Sequence, residues 1–96
     1  MERKEELKRR ELKRLRRKID ALDKVLVEVL NQRARISVSI GRLKKQSGTD
    51  VLCSDREKQV VNNILSHNGG PISDESLLKI YDSILEESRK IQNELK

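Results

Sequence analysis

The chain has no tryptophan and no phenylalanine, and Tyr81 is the one aromatic residue in 96. A core built on large rings is excluded, so the apolar content rests on Leu, Ile and Val. A single cysteine, Cys53, rules out an internal disulfide and fits a reducing compartment. Neither a signal-peptide pattern nor a run of about 18 apolar residues is present, so the expectation is a soluble, cytoplasmic protein. The sequence also lacks a P-loop, a Gly-rich dinucleotide turn and any metal-ligand spacing, and it therefore predicts no cofactor and no metal. His67 is the only histidine and sits in a breaker-rich loop, where no nucleophile–base arrangement can be read. Strand-like alternation and internal repeats are absent too.

What the chain has in quantity is charge, at 40% of residues with a net of +6. Residues 1–18 hold ten Lys or Arg against four Glu, so the whole excess lies there. A basic helical arm is one footprint of a nucleic-acid or acidic-membrane partner. The pairs Glu5 with Arg9 and Glu6 with Arg10, four apart, fit a solvated helix better, and nucleic acid is the lesser reading.

From Leu12 to Lys45, apolar residues recur at steps of three and four: Leu12, Leu15, Ile19, Leu22, Leu26, Val29, then Ile36, Ile40 and Leu43. Arg33 stands where the series calls for a leucine. Such a stripe predicts one continuous amphipathic helix. At about 1.5 Å per residue it reaches roughly 50 Å, too long for a compact domain whose radius of gyration is near 13 Å. A partner chain is the natural remedy. Residues 1–11 read as a charged helical extension and residues 12–96 as the domain proper.

Gly48 suits a left-handed helix stop, with Lys44 and Lys45 at the negative end of the dipole. Ser54-Asp55-Arg56-Glu57 reads as a capping box opening a second helix, about 55–67, with Val60, Val61, Ile64 and Leu65 as its apolar stripe. His67-Asn68-Gly69-Gly70-Pro71 breaks it. Ser73 caps a third helix whose stripe is Leu77, Tyr81, Ile84, Ser88, Ile91 and Leu95. The fold class is all-α, with one long and two shorter helices per chain, best completed as an intertwined helical-bundle homodimer.

Polar residues interrupt these stripes. An arginine in a seam must meet an anion or bear a large desolvation cost. Lys44 lies eleven residues beyond Arg33, nearly three turns and about 16 Å along the same face. Ser88 and Gln92 project together from the third helix, and Arg56 and Glu57 stand at the start of the second. Three cations, an amide, a hydroxyl and a carboxylate suit a small anion with more than one carboxylate, which arginine binds in a bidentate fashion. The alternative is that Arg33 snorkels or pairs with a glutamate of the core.

In order and spacing, these residues resemble the small all-α chorismate mutases. The similarity covers residues 12–96: Leu15-Arg16-Arg17-Lys18-Ile19-Asp20, Leu30-Asn31-Gln32-Arg33 and Ile40-Gly41-Arg42-Leu43-Lys44; then Asp55-Arg56-Glu57; then Ser88 and Gln92 one turn apart. The resemblance implies conversion of chorismate to prephenate in a homodimer. It assigns the substrate carboxylates to Arg33 and to Arg16 supplied by the partner chain. Lys44 and Gln92 would hydrogen-bond the ether oxygen, Arg56 and Ser88 would hold the ring end, and Glu57 would meet the ring hydroxyl. Arg16 and Arg33 are seventeen residues apart, about 25 Å along the helix and about 100° round it, so one helix cannot bring both to one small ligand. Cys53 departs from the family, which often has an acidic residue there. Two alternatives remain: an isochorismate pyruvate-lyase of the same fold, and a non-catalytic basic helical module for nucleic acid or a partner helix.

Overall fold

The computed structural model describes residues 2–48 and 54–94. These form three helices and no strand: α1 (Glu2–Ser47), α2 (Ser54–Ser66) and α3 (Asp74–Asn93). Cys53 and Leu95 lie outside the described residues. The chain divides into two units, Met1–Arg33 and Ala34–Lys96.

Within the first unit, α1 is a solvated helix, every side chain from Arg3 to Gln32 being exposed. Its charged lead-in is held by local pairs. Arg10 Nη2 donates to Glu6 Oε1 at 3.2 Å and Arg14 Nε to Glu11 Oε2 at 3.0 Å, with a second Arg14–Glu11 contact beside it. The hydrogen bond from Arg14, helped by its charge, holds the Glu11 carboxyl below the usual carboxylate range. Such exposed pairs stabilise a helix only slightly. More informative is the apolar stripe: Leu12, Leu15, Ile19, Leu22, Leu26 and Val29 are 44–67% exposed.

In the second unit, the buried face of α1 is not the apolar stripe. Ile36, Ile40 and Leu43 are exposed, whereas Ser37 and Gly41 are buried and Ala34, Val38 and Lys44 half-buried. Small residues at steps of about four allow close approach there without adding apolar area. The helix stops as expected at Gly48, whose φ of 70° is the left-handed conformation glycine adopts without strain, and whose N–H reaches Lys45 O at 3.4 Å.

Packing in this unit centres on α2 against α3. Val60, Val61, Ile64 and Leu65 are half-buried on α2, as are Leu77, Leu78, Tyr81 and Ile84 on α3. Leu85 is the one buried apolar residue among the described residues. The turn between the helices is organised by Asn68, whose Nδ2 donates to Ile72 O at 2.9 Å and to Asp74 Oδ1 at 2.7 Å. Its Oδ1 accepts from the Gly70 N–H at 3.1 Å. Ser73 is the N-cap of α3, its hydroxyl accepting from the Ser76 N–H at 3.1 Å, with Asp74 and Glu75 in the favourable first turn. The turn between α2 and α3 is thus closed by a short knot of polar contacts.

Candidate functional site

Among the described residues, two of the polar contacts that link distant parts of the second unit end on α3. The first is a hydrogen bond from Lys44 Nζ to Gln92 Oε1 at 3.3 Å, between half-buried side chains. An ammonium has no acceptor, so Gln92 must turn its oxygen toward Lys44. Its NH2 is thereby aimed elsewhere. The result is two kinds of donor side by side, an ammonium and an amide N–H, either of which can serve an oxygen that gains negative charge.

The second contact joins Arg89 to Glu57. Arg89 Nη1 straddles both carboxylate oxygens, donating to Oε2 at 2.6 Å as well as to Oε1. The two side chains keep 36% and 25% of their exposure, so the pair is screened only in part. Glu57, read from sequence as half of a capping box with Ser54, is thus directed across to α3. A carboxylate has about four lone-pair sites, so one guanidinium nitrogen does not exhaust it.

Of the other residues singled out in the sequence, Ser88 is half-buried on α3, one turn before Gln92 and on the same side. Arg56 is exposed, and its Nη1 donates to Gln59 Oε1 at 3.4 Å along α2. In the first unit Arg33 is half-buried and Arg16 exposed. A hollow of about 370 Å³ opens beside Glu57, lined by Val61, Asp82 and Leu85 among others; Lys44 and Gln92 are not part of its wall. Arg89 was not singled out. Its signal was present, since Leu85, Arg89 and Gln92 fall at steps of four and three, but it was hidden in the charged run Glu86-Glu87-Ser88-Arg89-Lys90. Among the described residues no cluster of three or more His, Cys, Asp or Glu could hold a metal ion. No helix among them is long and apolar enough to cross a membrane.

The all-α second unit thus holds an ammonium from α1 and a carboxylate from α2 against an amide and a guanidinium of α3, with the Ser88 hydroxyl on the same helix. A family model for chorismate mutase type II matches residues 15–93. The chain belongs to that family. It is 31% identical over 90 residues to the bifunctional chorismate mutase/prephenate dehydratase of Aquifex aeolicus, which covers 90% of this chain and 25% of that protein. The corresponding protein of Pseudomonas aeruginosa is 30% identical over 91 residues, with 90% and 25% covered. The 4-amino-4-deoxychorismate mutase of Streptomyces venezuelae is 31% identical over 84 residues, covering 86% of this chain and 82% of that protein. The chain thus spans about a quarter of the length of the bifunctional relatives and most of the length of the third.

Proposed function

We propose that residues 12–96 form a chorismate mutase that rearranges chorismate to prephenate, with residues 1–11 a dispensable extension. The observation that carries this reading is the Lys44–Gln92 hydrogen bond, made between α1 and α3 by two side chains, 48 residues apart, that the family resemblance assigns to the ether oxygen. The reaction is a Claisen rearrangement. One C–O bond breaks as one C–C bond forms, and no proton or covalent intermediate is needed. Catalysis then consists of holding the dianion in its folded, reactive conformer and stabilising the negative charge that grows on the ether oxygen. Lys44 and the Gln92 amide supply that stabilisation.

In this reading Arg33 and Arg16 bind the carboxylates, Arg16 coming from a second copy of the chain. Ser88 and Arg56 hold the ring end, and Glu57 accepts from the ring hydroxyl. The homodimer is supported by the exposed stripe from Leu12 to Val29, because a face of that length left in water favours association. A cytoplasmic setting, which the lone Cys53 suits, belongs to the same proposal. A second substrate is favoured by one observation: the relative from Streptomyces venezuelae, matched over most of its length, is named for 4-amino-4-deoxychorismate, in which an amine replaces the ring hydroxyl. The test is direct. Purified protein should consume chorismate and release prephenate without pyruvate; release of pyruvate from isochorismate, or no turnover of any of these substrates, would overturn the assignment.

A further inference from the structure

The proposed function gives Glu57 the ring substituent, where the two candidate substrates differ, but gives no role to Arg89, the residue paired with it. Arg89 follows Ser88 and precedes Gln92 by three positions, so it shares their part of α3. Its Nη1 lies against both oxygens of Glu57. A hydroxyl asks of Glu57 only a lone pair, and the carboxylate keeps lone pairs beyond those Arg89 takes. A substrate amine is different. It is largely protonated near neutral pH, as alkylamines are, and an ammonium gains most from a carboxylate whose charge is uncompensated. With Arg89 in contact, the pair carries no net charge and the incoming ammonium meets a guanidinium beside its partner.

From this we infer that Arg89 is a specificity-determining residue: by neutralising Glu57 it biases the site toward a hydroxyl-bearing ring and against an amine-bearing one. The inference rests on the placement of Glu57 at the ring substituent in the proposed function. Arg89 needs no contact with the substrate; it acts through the charge of Glu57.

The experiment compares kcat/KM for chorismate and for 4-amino-4-deoxychorismate in the parent protein, Arg89→Met and Arg89→Gln. The ratio of amine to hydroxyl substrate should rise about tenfold in both variants, the scale of one partly screened charge interaction. Arg89→Gln guards against a packing effect, because it keeps a polar hydrogen-bonding side chain at the position but brings no charge. An unchanged ratio, an equal loss on both substrates, or failure of both variants to fold would overturn the inference and make the pair merely structural. A parent that converts chorismate while the ratio stays fixed refutes only the role of Arg89. A parent that converts neither substrate refutes the mutase reading and this inference with it.

Discussion

Replacing Lys44 with methionine keeps the length and much of the volume of the side chain but removes its charge and its donors. At an effective dielectric of about 20, an ammonium about 3 Å from a full negative charge gains roughly 5 kcal/mol. Only part of a unit charge develops on the ether oxygen as its bond to carbon breaks. If that part is about half, the differential stabilisation is about 2.5–3 kcal/mol, or on the order of 10²-fold in turnover. Losses of 10²- to 10³-fold are usual when one preorganised donor is removed. The structural cost is smaller. Gln92 is half-exposed, so water can replace the lost partner, and the net loss should be no more than about 1 kcal/mol. Lys44→Met should therefore lose about 10²-fold in kcat by an absorbance assay of chorismate, with helicity by circular dichroism and sedimentation behaviour unchanged. Near-parental turnover in a folded variant would refute the role given to Lys44. A loss of activity accompanied by a loss of helicity would show that the 3.3 Å contact is structural.

Gln92 carries no titrating group, so turnover should not climb toward acid pH; a steep rise below about pH 5, where carboxylic acids protonate, would count against its amide as donor. Ser73→Ala removes the hydroxyl that accepts from the Ser76 N–H and should cost about 1 kcal/mol, read as a lower thermal midpoint at fixed protein concentration. Leu26→Glu puts a charge on the exposed apolar stripe and should shift the protein toward monomer in analytical ultracentrifugation, with activity falling in parallel; an active monomer would overturn the trans assignment of Arg16. Because the Arg14 hydrogen bond lowers the Glu11 carboxyl, the helical state gains from the pair above the ordinary glutamate range and loses that gain as pH falls through the lowered value. In an acid titration followed by circular dichroism, Glu11→Gln should therefore show a smaller loss of helicity than the parent.

Local chemistry was the legible part of this fold. The Ser73 cap and the left-handed Gly48 depend on neighbours within four residues, and both stand where the sequence put them. The burial of α1 was harder to read. Its apolar stripe continues through Ile36, Ile40 and Leu43, but the face turned inward in the second unit carries Ser37 and Gly41, residues too small or too polar to register in a hydrophobic pattern. Among the candidate site residues, Lys44 is legible because it shares the Arg33 face and Gln92 because it lies one turn beyond Ser88, and the structure joins the two directly. Glu57 was named, but its partner was not. Arg89 lies 32 residues away in a stretch where charges of both signs alternate, and nothing in one sequence says which of them turns inward.

Leu85 has a consequence for how this protein behaves when it is diluted. With a single buried leucine among its described residues, the isolated chain has little interior cohesion to set against the entropy of ordering its backbone. If the exposed stripe is covered by a second copy, folding and pairing become one equilibrium, and the folded population depends on how many copies are present. For a dimer, each tenfold dilution would remove about 1.4 kcal/mol from the apparent stability. Abundance would then act as a threshold: below some concentration the chain would lose its fold and its catalytic site together, rather than merely working more slowly.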